Sequence, residues 1–372
     1  MVGTQNNKYF QELKKLKKNE FLSGENFSKI ADVIYAQTTT YEEFQKIDED
    51  NLEFFEKNEN SEYTYSIKNF EIKENDIIFC KTDFLLELFS KLKKVENLKN
   101  IKLITHQAAL PSIDKGLYNL KPKCISEWYS INLKTRKKNL FPIPLGLGNS
   151  YSKIGLKGHH FYELYKKITN TKELNLIYCN FKTSSNPVRE SLLEKFKDNS
   201  NFIFDNPELE IKEYHERILN YKYILCPEGL GMDTHRFWEV IYSGSIPIAK
   251  KFINNEMFES YFIDLLEHDK CDINSFKKIT LDMHLSKKLS IRYWQERINE
   301  KQLDSNETKE IKSNDSSKIL YFKLKRKYTK YKVMKSSLDF RAKLRFIKRI
   351  NQEIVIDNYN KNLFNRFWFL PN

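Results

Sequence analysis

Arg236 and Glu239 stand one helical turn apart behind a loop that carries Gly229 and Gly231. An apolar run at 223–227 ends in Pro227, and the two glycines that follow let the backbone approach a ligand closely. Asp233 and Thr234 are both good N-caps, so the pattern predicts a helix over 234–242, with Gly244 ending it as a C′ residue. The free N–H groups and dipole of such a helix face the carboxyl edge of the sheet. That is where open α/β sheets hold ligands and where a diphosphate gains most. His235 and Arg236 fall in the first turn. A guanidinium can grip phosphate oxygens in a bidentate fork, and Glu239 can accept from ribose hydroxyls. The same string also fits a plain strand–loop–helix–strand unit with Arg236 on its surface.

These residues need a scaffold, and the apolar pattern supplies one. Short buried-strand runs occur at 76–80, 101–104, 124–129 and 140–148, with helical spacing at 84–89. The alternation restarts with a linker helix at 162–168. Strands follow at 174–179, 201–204, 223–227 and 246–249, and helices at 188–196, 211–220 and 234–242. Asn186–Pro187 opens the first of these, where the missing proline N–H costs nothing. Two such arrays predict an α/β chain with parallel sheets. The expected division is residues 1–155, 156–304 and 305–372. Residues 1–70 read as mixed helix and loop, and 305–317 as a polar linker.

Composition narrows the function classes. An apolar fraction of 40% is enough for real cores and excludes wholesale disorder. Five widely spaced cysteines without a CxxC argue against a disulfide framework or a zinc site and fit a reducing compartment. The polar start and the lack of a long apolar run predict a cytoplasmic protein held on the inner face of a membrane. Asp48–Glu49–Asp50 has the form of a DxD metal motif, but no apolar strand precedes it. It reads as a solvated turn, and no metal is expected. His159–His160 lacks a spaced third ligand.

The ordered string PEGxGxDTHRFWExxxxGxIPI resembles the donor-site segment of exostosin-like glycosyltransferases. Pro227, Gly229, Gly231, Asp233, Arg236, Trp238, Glu239, Gly244, Ile246 and Pro247 stand in that family's places. Residues 104–106, 127–128, 143–147 and 180–182, with Asn186, Pro187 and Arg189, also resemble bacterial and viral members. The resemblance covers roughly residues 75–300. It implies a GT-B fold: two facing Rossmann-like domains with a cleft, the nucleotide sugar on the second and the acceptor on the first, without a catalytic metal. Carried over, Arg236 binds the donor diphosphate and Glu239 its ribose. Glu228 contacts sugar or base, and Arg189, Lys182 and the helix start stabilise the leaving group. Asp233, Thr234, His235 and Asn186 complete the donor site.

An inverting transferase needs a base near the acceptor hydroxyl. Related sequences often carry an acidic residue after the second N-terminal strand, where this chain has Gln107–Ala108–Ala109. His106, Asp83, Glu127 and Asp114 are the candidates, His106 being favoured for its place at a strand's carboxyl end. A satisfied structural histidine is the alternative. Two rival functions stay open, a fucosyltransferase-like enzyme and a catalytically degenerate fold acting as a binding module.

The charge is uneven. Residues 318–349 hold thirteen Lys and Arg against Asp339, nearly all of the chain's net +13. Leu320, Leu324, Tyr328, Tyr331, Met334 and Leu338 share one helical face. The expectation is a basic amphipathic tail over 318–372 on an anionic membrane surface, with a glycan or lipid-linked acceptor and no nucleic acid. Packing of the tail on the protein itself is the alternative.

Overall fold

The structure is a computed structural model that describes residues 11–153, 155–167, 174–267, 271–276, 287–300 and 308–337. The first half runs α1 (Gly24–Ser28), β1 (Val33–Thr39), α2 (Tyr41–Phe44), β2 (Leu52–Lys57), β3 (Tyr63–Ile67), β4 (Phe70–Lys73), β5 (Ile77–Lys81), α3 (Leu85–Leu92), β6 (Ile101–His106), α4 (Lys115–Tyr118), β7 (Ile125–Ser130) and β8 (Leu140–Pro142). Its sheet has the order β2-β3-β1-β5-β6-β7-β8, parallel from β1 to β8 and closed at one edge by the antiparallel β2–β3 hairpin. Every residue of β6 is buried, as expected of a parallel strand covered on both faces.

The second half runs α5 (Gly158–Lys167), β9 (Leu174–Cys179), α6 (Pro187–Phe196), β10 (Phe202–Phe204), α7 (Ile211–Asn220), β11 (Tyr221–Leu225), α8 (His235–Tyr242), β12 (Ile246–Ala249), β13 (Ile263–Asp264) and α9 (Ile291–Asn299). Its five strands are all parallel, in the order β10-β9-β11-β12-β13. Gly244 takes φ +74° behind α8, as a C′ residue does.

The two sheets share apolar packing. One continuous cluster runs from Phe79, Ile104 and Tyr129 through Phe21, Leu147 and Trp294 to Trp238, Tyr178 and Ile224. Helix α9 returns to the first half, where Lys102 Nζ donates to the carbonyls of Ile298 and Glu300 at its end.

Two regions differ from expectation. Residues 11–70 hold three strands and the start of β4, and β1 joins the parallel sheet beside β5. These strands mix polar and apolar residues: Gln37, Thr38 and Ser66 are buried, the first two satisfied by cross-strand partners, which blurs the period-two signal. The 305–317 stretch is not a plain linker, because β14 (Thr308–Ile311) pairs with β4. Behind it α10 (Asp315–Ser337) lies on α3 and α4. Leu324 and Tyr328 are buried there in the first half's core, with Leu320 and Tyr331 packed against it. The face expected to meet a membrane therefore meets the protein. Each such side chain stabilises the docked helix by roughly 1.5–3 kcal/mol when fully buried. Leu338 and the rest of 338–372 lie outside the described residues, as does the Met334 side chain.

Candidate functional site

In the second sheet β10 lies beyond β9 on one side, while β11 and β12 grow outward on the other. The order therefore reverses between β9 and β11. Such a reversal is where open α/β sheets hold ligands, outside the carboxyl ends of the two strands. Asn180 follows β9, Cys226 and Pro227 follow β11, and α8 points its N-terminus at the same edge.

Arg236 stands at this edge in the first turn of α8. Its Nη2 donates to Asn180 Oδ1 at 3.0 Å, and its guanidinium lies 5.1 Å from the centroid of the Tyr214 ring. Its Nη1 is buried and makes no hydrogen bond. Burial works against its charge, but Tyr214 and Glu239 favour it, so its pKa is held above the ordinary value. Thr234 caps α8 without a side-chain hydrogen bond, which leaves opening N–H groups of the helix for a ligand.

Arg189 reaches the same edge from α6, but its guanidinium is a brace. Nε donates to the Glu228 carbonyl at 2.9 Å, Nη1 to the Lys182 carbonyl at 3.1 Å and Nη2 to the Pro227 carbonyl at 3.3 Å. Burial and the charge of Arg236 pull its pKa down to about 10. Like charges so placed, with Arg236 Nη1 unmatched, give this edge a positive character that an anion would relieve. Asn186 caps α6 and donates from Nδ2 to the Gly229 carbonyl at 2.8 Å. Glu228 meets Lys250 at 2.9 Å, and the exposed Lys182 meets Glu208 at 2.9 Å.

Other residues expected in the donor site have different work. Glu239 is 3% exposed, its Oε1 accepting from Leu156 N at 2.8 Å and its Oε2 from Tyr214 Oη at 2.7 Å. The ribose contact is corrected: this carboxylate is engaged inside the fold and holds Tyr214 beneath Arg236. Asp233 is likewise interior, accepting from Leu145 N and from Trp238 Nε1. Its backbone N–H donates to Asn132 Oδ1 at 3.1 Å. Asp233 thus ties the second half to loops of the first. His235 Nδ1 meets the Gly146 carbonyl at 2.8 Å across the same junction. Gly231 is needed there because a Cβ would stand 2.9 Å from Asn132 Nδ2. Its place is a junction between halves, not a ligand's backbone seat.

The four candidate bases are placed differently. His106 is 1% exposed, and burial pushes its pKa down to about 3. Its Nδ1 accepts from Gln107 N at 2.7 Å, which leaves Nε2–H to donate to the Pro144 carbonyl at 3.2 Å. The ring stacks on Phe27. His106 as base is therefore corrected, since a neutral ring with both nitrogens engaged has no lone pair to offer. Glu127 is paired in register with Lys102, near the strands' amino ends, and accepts from Tyr129 Oη at 2.6 Å. It stands away from the carboxyl edge and is corrected too. Asp114 caps α4. Asp83 does lie at the carboxyl end of β5. Its Oδ2 meets Lys81 Nζ at 2.5 Å, while Oδ1 is buried with no hydrogen-bond partner.

Sequence reasoning missed Tyr214, Asn132 and Asn254. Asn254 binds the carbonyls of Ser130 and Ile143 and the Leu133 N–H, again joining the halves. No local pattern marks them, because each acts on residues remote in the chain. A separate cavity of about 260 Å³ is lined by Thr135, Arg136, Pro142, Ile253, Glu256 and their neighbours, and Arg236 is not among its walls. Asp48–Glu49–Asp50 forms an exposed turn capped by Asp48. Among the described residues no group of three or more His, Cys, Asp or Glu is placed to hold a metal, and no helix is long and apolar enough to cross a membrane.

No protein-family model matches the chain, and no curated protein matches it.

Proposed function

We propose that this chain is a glycosyltransferase of the GT-B kind, resembling the exostosin-like enzymes, that draws its sugar from a nucleotide diphosphate-sugar. One observation carries the reading: the buried, unpartnered Nη1 of Arg236 at the point where the second sheet reverses its order, beside the start of α8. A diphosphate leaving group gains negative charge as the bond to the sugar breaks. Arg236 and the opening N–H groups of α8 meet that charge in a site shielded from water. Arg189 shapes the loop and adds field strength.

The acceptor is a glycan or a lipid-linked glycan on the first half, as in cell-surface polysaccharide synthesis. Asp83 takes the proton of the acceptor hydroxyl. The acceptor oxygen then bonds to the anomeric carbon, and the bond from that carbon to the phosphate oxygen breaks.

A thermal-shift panel of uridine, guanosine, cytidine and thymidine nucleotide sugars tests the reading. A true donor at about 100 times its Kd stabilises the fold by about 2.7 kcal/mol and raises the melting temperature. If no member of the panel moves it, the donor site is not where Arg236 lies. Binding without transfer to any acceptor would leave a binding module instead.

A further inference from the structure

Helix α10 carries a second apolar stripe on the side away from the protein. Its inner face, Leu320, Leu324, Tyr328 and Tyr331, is packed on the first half. At 100° per residue, Phe322 stands about 160° around the helix from Leu324. Phe322 is 57% exposed, Ile319 56% and Val333 47%. Lys318 and Lys325 flank this stripe on one side, Lys323 and Lys330 on the other, with Arg326 within it. The helix has one acid, Asp315, at its start and paired with Lys318 at 3.7 Å.

We propose that this outer face is a docking surface for anionic phospholipid, with Phe322 and Ile319 entering the headgroup–acyl boundary and the flanking cations meeting the headgroups. Charge chooses the occupant: a stripe of exposed apolar residues bordered on both sides by Lys and Arg matches a negatively charged interface. A second copy of the chain would bring the same positive field against itself. The inner face fixes α10 to the body, so the membrane holds the protein in one orientation. This docking stands whether or not the chain transfers a sugar.

The test uses the full chain and vesicles of phosphatidylcholine alone or mixed equally with phosphatidylglycerol. All five native cysteines are buried, so a Phe322→Cys chain takes an environment-sensitive fluorophore at that position. Its emission shifts to the blue on mixed vesicles only, while the same label at Tyr41→Cys, exposed on the body, does not shift. In co-sedimentation the Ile319→Ser/Phe322→Ser chain loses at least about tenfold in vesicle affinity with an unchanged melting temperature. Unchanged partition of that variant overturns the proposal. So does equal binding to neutral vesicles, or a lipid-free dimer that the double substitution dissolves. Salt-sensitive binding to nucleic acid in place of mixed vesicles overturns it as well.

Discussion

The Tyr214 ring lies against the Arg236 guanidinium at 5.1 Å, and the same side chain gives its hydroxyl proton to Glu239 at 2.7 Å. Glu239 in turn holds the Leu156 N–H in the connection between the halves. Arg236 is therefore seated on a group anchored to that connection. Tyr214→Phe keeps the ring but leaves a buried carboxylate oxygen without its donor. We expect a loss of about 1–3 kcal/mol in urea unfolding and a several-fold weaker Kd for nucleoside diphosphate. A variant matching the parent in both would show that Tyr214 is only filler.

Arg236→Ala removes the one guanidinium among the described residues with an unmatched buried N–H. A hydrogen bond to a charged group contributes about 1.5–3 kcal/mol, so calorimetry should read roughly 10- to 100-fold weaker binding of nucleoside diphosphate. Unfolding of the ligand-free chain should change little. Undiminished affinity would remove Arg236 from the site.

Asp83→Asn retains the shape of the β5 end and cannot take a proton. Donor affinity should stay within about twofold, because the diphosphate is held by the other half, while transfer falls by about 100-fold or more. His106→Gln, by contrast, should lower stability and leave the acid limb of the pH–rate profile in place. Full turnover in the Asp83 variant would assign the base elsewhere.

Asp233 sets a pH dependence. Burial raises its pKa to about 7, against the lowering pull of the Leu145, Trp238 and Thr234 hydrogen bonds. A carboxyl held above its unfolded value gives stability that is full below about pH 4 and is lost as the pH rises through about 7. The shift corresponds to roughly 4 kcal/mol. Asp233→Asn should be less stable at every pH, because Nδ2 cannot accept and at least one of the three donors loses its acceptor. Its melting temperature should also fall less than the parent's between about pH 6 and pH 8. Parallel melting curves would place the titration on another group.

Short-range information wrote much of the scaffold. Apolar runs bounded by polar residues placed β5 to β12 (excluding their exact ends), and Asn186–Pro187 and Gly244 marked helix limits through local backbone chemistry. The first-turn position of Arg236 was equally legible. The strands before residue 75 were not, because the buried Gln37 and Thr38 are satisfied by partners the local pattern does not reveal.

By itself, then, the sequence determined the strands and helices between residues 75 and 250 and that an arginine opens α8. Only the tertiary structure decided which polar groups remain free for a ligand. Asp233 finds its partner 88 residues away and Glu239 83 residues away, and a carboxylate so engaged is lost to chemistry. It also decided which side of α10 turns inward, because apolar residues stand on both of its sides and only contact with α3 and α4 distinguishes them.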